Sequence, residues 1–273
     1  MKLPNKNKTS ENESKIYSVY PKKVKFQISI IFAIVLFWYF YSLRATDADF
    51  LELFGDLDVV FGKLIEMFPP DWSYIESAID PLIETIQIAV VASTFAILIC
   101  IPMSLLSANT IVKNKFIYQT FRNIMNLLRT MPDILLATIF VSLFGVGIFP
   151  GILALTVFSL GLLAKLLSET IETIDTRQLE AIRSTGGNII QVIWYGVVPQ
   201  VLPSFISYGL YVFELNVRAS LVLGFVGAGG IGSIIDTQLN FMQYQKVMAV
   251  LVLLLVAVII IETLSNMLRR RVV

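Results

Sequence analysis

The sequence predicts an all-α integral membrane protein with about six transmembrane helices, and three observations predict it. Hydrophobic residues make up 56% of the chain and charged residues 15%, with a mean hydropathy of +0.76; soluble domains rarely reach that balance. The apolar residues fall into runs close to the ~20 residues a helix needs to cross a bilayer. Basic residues recur in the segments between alternate runs, as the positive-inside rule demands of a multi-pass protein. A net charge of +1 argues against a nucleic-acid binder, which carries a basic excess. One cysteine and no histidine remove an internal disulfide and the usual zinc, Ser-His and Cys-His chemistry. No metal, cofactor or catalytic residue is expected.

Residues 1–25 are rich in Lys, Asn, Ser and Glu and read as a polar cytoplasmic tail. Residues 26–43 form the first transmembrane anchor. It ends in Phe37-Trp38-Tyr39-Phe40-Tyr41, rings that favour the membrane–water boundary. Its long apolar core, bulky end and lack of a small-residue cleavage site favour a retained anchor over a signal peptide. Residues 44–80 form an acidic extracytoplasmic loop carrying Asp47, Asp49, Glu52, Asp56, Asp58, Glu66, Asp71, Glu76 and Asp80. Within it Leu53, Leu57, Phe61, Leu64, Ile65 and Phe68 recur at helical spacing. They predict a short interfacial helix that Pro69-Pro70 ends.

The remainder, 81–273, reads as one transmembrane domain. The second span covers Leu82–Leu106 and is followed by a loop with Lys113 and Lys115. The third runs from near Pro132 to about Phe144, with Ile124–Met131 extending it inward, and Gly145–Gly151 turns the chain. The fourth covers Ile152–Leu167, the fifth Leu202–Leu223, and the sixth Val247–Ile261 ahead of Arg269-Arg270-Arg271. Lys22, Lys23 and Lys25 place the N-terminus in the cytoplasm, and six spans return the C-terminal arginines to the same side. Five or seven spans would put one basic set on the wrong side.

Between the fourth and fifth spans lies a polar stretch, Ser168–Pro199. Glu169, Glu172, Asp175, Arg177, Glu180 and Arg183 alternate there with an apolar stripe. Gly186-Gly187 breaks the first helix, Asn188 caps a second over Ile189–Val198, and Pro199 closes it. This helical bracket faces the cytoplasm and either lies on the lipid or docks a partner. The sequence contains no G-x-x-x-x-G-K-[ST] phosphate loop, so ATP-driven work would draw on a separate ATPase.

Glu214, Asn216 and Arg218 fall inside the fifth span, where ionisable groups are costly and often mark a pathway. Glu214 and Arg218 are four apart and predict an ion pair along one helix face; Arg218 is also a candidate contact for an anionic solute, because a guanidinium fork suits such oxygens. Gly227-Ala228-Gly229-Gly230-Ile231-Gly232 matches G-x-G-x-x-G, but it lacks the preceding strand and later acid of a dinucleotide site. Gly224, Gly227, Gly229, Gly230 and Gly232 are therefore expected to serve close backbone packing or a gate. Arg129 and Asp133 sit at the inner boundary of the third span, and Lys165 and Glu169 at the exit of the fourth.

Glu180-Ala181, Gly186 and the proline thirteen residues later, Pro199, resemble the "EAA" loop of ABC importer permeases. Ile182 replaces the family's second alanine, and Gly196 and Val198 stand where it prefers isoleucine and leucine. Pro69–Tyr74, Pro81–Thr85, Leu128–Pro132, Asn216–Ser220 and Leu223–Gly232 resemble the membrane subunit of phosphonate importers. The glycine stretch is shared with methionine-type permeases. The resemblance implies a methionine-importer-like fold in the cytoplasmic (inner) membrane, and transport of phosphonate, phosphite or phosphate. It further implies a permease homodimer, a cytoplasmic ABC ATPase docked on Glu180, Ala181, Gly186 and Pro199, and an extracytoplasmic substrate-binding protein. A permease for methionine or another small solute is the alternative, opposed by Asn216-Val217-Arg218 and Pro70-Asp71. A stand-alone secondary transporter or channel is the reading from another class; such proteins often show internal repeats, and none is evident here. A membrane enzyme is disfavoured by the missing histidine and the absence of a clustered carboxylate pair.

Overall fold

A computed structural model describes residues 22–46, 55 and 57–272. Most of the polar tail and the acidic residues Asp47, Asp49, Glu52 and Asp56 lie outside them. The chain divides into two compact units at Gly62–Lys63. The first contains α1 (Lys22–Ala45), a single apolar helix with no buried side chain among those described. The short helix α2 (Leu57–Glu66) crosses the division and ends before Pro69, where the proline signal placed its limit.

The second unit is helical throughout. A 3₁₀ turn, Trp72–Tyr74, leads into α3 (Ile75–Leu106). There follow α4 (Lys115–Thr130), α5 (Asp133–Phe144), α6 (Ile148–Thr173) and α7 (Thr176–Ser184). A one-turn helix α8 (Ile189–Gln191) and a π-helical turn (Val192–Val197) run into α9 (Val198–Gly224). Last come α10 (Ile231–Asn240) and α11 (Tyr244–Val272). Among the described residues five helices are long and apolar enough to cross a membrane, and a sixth candidate is the pair α4–α5.

That pair differs from the expected straight extension of the third span. It bends by 89° at Met131–Pro132. Pro132 disfavours helical geometry at the residue before it, and Met131 is extended (φ −84°, ψ 122°). A second difference is the predicted closing role of Pro199. The chain from Ile189 to Gly224 is one continuous apolar helical run, and Pro199 sits in the first turn of α9. The wider π turn just ahead, Val192–Val197, absorbs the hydrogen bond that proline cannot donate. The remaining spans extend past their predicted limits: the helices begin at Ile75 rather than Leu82, Ile148 rather than Ile152, and Tyr244 rather than Val247.

Small residues set how closely the helices approach. Ala89, Ala92, Ser93, Ala96 and Cys100 form the buried stripe of α3. Facing it, α6 buries Ala154, Ser159, Gly161 and Ala164. In a membrane, where lipid is as apolar as leucine, such contact surfaces supply the packing gain. Gly161 marks one close approach. A Cβ there would lie 2.8 Å from the Arg129 nitrogen and 3.0 Å from Leu128 Cβ, so α6 crosses directly against the last turn of α4.

Candidate coupling and translocation sites

At one end of the bundle, α7 is anchored to the apolar core by Leu179, with Ile182 packed beside it. Leu179 is 1% exposed and packs with Ile171, Val192 and Val197, while Glu180, Ala181 and Gly186 are exposed. Both ends of the helix are built by local chemistry. Asp175 accepts the Arg177 N–H at 3.0 Å as N-cap and pairs with the Arg177 guanidinium at 2.8 Å. Those hydrogen bonds hold the Asp175 carboxyl below its ordinary value. At the other end Gly187 N donates to Ile182 O and Gly186 N to Arg183 O, both at 3.0 Å. With Gly186 at φ +85°, this is a Schellman stop that only glycine enters without strain. Asn188 and Gln191 then form the reciprocal capping box of α8, at 2.8 and 2.9 Å.

The bracket is fastened to its neighbours by Gln200 and Arg122, which the sequence did not single out. Gln200 Nε2 donates to Gly196 O at 2.7 Å, and its Oε1 accepts the Asp175 N–H at 3.0 Å. Thus one amide spans the gap between α7 and the start of α9. Arg122 of α4 pairs with Glu172 at the end of α6 at 3.0 Å. Lys165 and Glu169, expected only as the exit of the fourth span, pair at 3.0 Å along α6.

In the fifth span the expected Glu214–Arg218 pair does not form. Each residue reaches α11 instead: Glu214 accepts from Arg269 at 3.0 Å, and Arg218 donates to Glu262 at 3.0 Å. The reason is that α9 and α11 run antiparallel and each carries its acid before its base, so each charge meets the opposite one across the interface. Glu214 is largely covered, whereas Arg218 and Glu262 are each about half exposed. Asn216 does not line an opening. It is 0% exposed, and its amide is consumed by Ser159 and Ser93 at 2.7 and 2.8 Å. Beside Ser93, a cavity of about 430 Å³ lies between α3 and α9, lined mainly by Val90, Ile97, Phe205, Gly209 and Phe213.

At the far end of α9, the glycine-rich stretch wraps the first turns of α3. Gly227, Gly229 and Gly230 all have positive φ. Gly230 N donates to Glu84 Oε1 and Ile231 N to Thr85 Oγ1, each at 2.8 Å, so α3 caps the start of α10. Gly224 and Gly232 pack backbone to backbone, with a Cβ at Gly224 only 2.5 Å from Gly232 Cα. No dinucleotide geometry is present: a helix rather than a strand enters the loop.

Residues 100–273 match the family described as binding-protein-dependent transport system inner membrane component. The chain belongs to this family. It is therefore a multi-pass permease of the inner membrane, the membrane component of a binding-protein-dependent transport system. The permease is 35% identical over 246 residues to the phosphite transport system permease protein of Stutzerimonas stutzeri, covering 89% of this chain and 88% of that one. It is 48% identical over 118 residues to a putative cryptic phosphonate transport system permease protein of Escherichia coli K12, covering 43% of this chain and 97% of that one. Its fold matches a chain of the MetNI methionine ABC transporter in an inward-facing conformation, with TM-score 0.64 and 26% identity, covering 72% and 96% of the two chains. The methionine-importer-like fold expected from the motifs is thus observed.

Within the permease, sequence reasoning located the exposed face of α7 and the glycine stretch but missed Arg122 and Gln200, and it named Glu84 and Thr85 only as part of the Pro81–Thr85 segment, without their capping role. Arg122 lies on an amphipathic helix whose polar face, Gln119, Arg122, Asn123 and Arg129, was the available signal. Thr85 and Gln200 carry no such pattern, since a neutral polar residue beside an apolar run is ordinary.

Proposed function

We propose that this permease moves a phosphorus oxyanion inward across the cytoplasmic membrane, with phosphite and phosphonates the leading candidates and phosphate a close third. The observation that carries the reading is the resemblance over nearly its whole length to a phosphite permease. The energy comes from a separate ABC ATPase that engages the exposed Glu180–Ala181 face of α7 and the Gly186 turn, with Pro199 fixing the entry to α9. An extracytoplasmic binding protein delivers the solute, two copies of the permease enclose the path, and both termini lie in the cytoplasm. Glu214 and Arg218 belong to the path on this reading. Arg218, half exposed and held among the described residues by Glu262 alone, can exchange that carboxylate for substrate oxygens of like geometry. The glycine stretch Gly224–Gly232 closes the outer end.

Reconstitution of the permease with its ATPase and binding protein tests this. Labelled phosphite or methylphosphonate should accumulate only with ATP, and unlabelled phosphorus oxyanions should compete while methionine does not. Uptake that persists without the ATPase, or that methionine alone suppresses, would replace this reading with one of its rivals.

A further inference from the structure

The end of α6, the last turn of α7 and the loop between α3 and α4 meet in one polar cluster. Arg122 Nη1 donates to both oxygens of Glu172, at 3.0 and 3.3 Å. Glu172 Oε1 also accepts the Asn109 N–H at 3.2 Å. The next residue, Thr110, donates its hydroxyl to Ile171 O at 3.2 Å and offers its carbonyl to Arg183 of α7 at 3.4 Å. Two loop residues are therefore clamped between α6 and α7, and the clamp ends on Arg122.

We propose that the Arg122–Glu172 ion pair is a positioning joint through which displacement of α7 reaches α4 and, beyond the 89° bend, α5. The proposal rests on the reading that α7 receives the ATPase. Three features support a joint rather than surface decoration. The two side chains are 27% and 18% exposed, so the pair is screened less than a surface bridge. Among the described residues it is the one ion pair between α4 and α6. And α4 has a fulcrum: its last turn bears on Gly161, where a Cβ would meet Arg129 N at 2.8 Å. A pull on Glu172 therefore acts at one point of α4, Arg122, while another point is pinned. Because interdigitated interfaces are bistable rather than softly deformable, the pull transfers to the bend instead of dissipating.

The test is a double-mutant cycle read as solute taken up per ATP hydrolysed, in proteoliposomes holding the permease, its ATPase and its binding protein. Arg122→Gln and Glu172→Gln should each lower the ratio about threefold to tenfold, and the double variant should fall no further than the worse single. Arg122→Lys keeps the charge at shorter reach and should lower the ratio about twofold; it serves where a neutral variant fails to insert. A pair that merely stabilises would lower the melting temperature and leave the ratio unchanged. Unchanged ratios, or losses that multiply in the double variant, overturn the proposal. Glu180→Lys runs alongside. If it uncouples while the Arg122 and Glu172 variants do not, the joint alone is wrong; if it does not uncouple, the role given to α7 is wrong.

Discussion

The hydroxyl of Ser159 on α6 donates to Oδ1 of Asn216 on α9 at 2.7 Å, at a point where Asn216 is fully buried. The same amide donates to Ser93 of α3 at 2.8 Å. Three long helices are thus tied at one polar point inside an apolar bundle, where an unmet donor or acceptor has no water to turn to.

Asn216→Leu should consequently cost about 1–3 kcal/mol, since it leaves two buried serines without their partner. Thermal unfolding of the purified permease in detergent measures this. A variant that melts within about a degree of wild type yet fails to transport would sink the structural role and return Asn216 to the translocation path.

The two ion pairs between α9 and α11 should differ in weight. Arg218→Ala breaks a half-exposed pair, and such pairs contribute about 0–1 kcal/mol. Glu214→Gln removes the carboxylate from Arg269, whose Nε is already buried without a partner among the described residues. Losing that charge-assisted bond should cost about 1.5–3 kcal/mol. Parallel melts of the two variants decide the order. Normal stability with lost uptake in Arg218→Ala would support a substrate contact; full uptake there would remove it.

Two glycines should respond unequally to alanine. At Gly232 a Cβ would sit 1.9 Å from Leu221 O, a backbone contact that no rotamer relieves, and overpacking of this kind costs about 1–3 kcal/mol or more. At Gly186 nothing lies within 4 Å, so only the positive φ of +85° opposes alanine, at about 1–2 kcal/mol. Insertion yield and melting temperature should drop sharply for Gly232→Ala and modestly for Gly186→Ala. Equal effects would mean that the packing at Gly224–Gly232 is not what the glycine stretch serves.

How far the structure was legible in the sequence follows from the range of each interaction. The helices, the Gly186 stop and the Asn188 cap depend on residues within one turn of each other, and a linear reading reaches them. The Glu214–Arg218 expectation failed for the same reason: spacing within a helix says nothing of what an antiparallel neighbour offers, and Arg269 and Glu262 lie far along the chain. Thr85 and Gln200 act by capping backbone groups on other elements, which leaves no periodic trace. The break at Met131–Pro132 was visible as a proline, but its 89° angle was not, and neither was the close approach of Gly161 to Leu128 and Arg129 beside it, a contact between distant segments.

Asp175 gives a pH prediction with a definite sign. Its carboxyl is held below the ordinary value first by the Arg177 side-chain hydrogen bond and then by the Arg177 N–H. A depressed carboxylate contributes stability that is fully present above its unfolded value and is lost as pH falls through its folded value. Wild type and Asp175→Asn should therefore differ by a constant melting temperature from neutral pH down to about pH 4, the ordinary aspartate value. Below it the two curves should converge, because protonated Asp175 can no longer pair with Arg177. Melts of both proteins across that range check the point. Convergence beginning already near about pH 6, far above an ordinary carboxylate, would mean that the cap is not held by the Asp175 charge, and that the N-terminus of α7 rests on Gln200 instead.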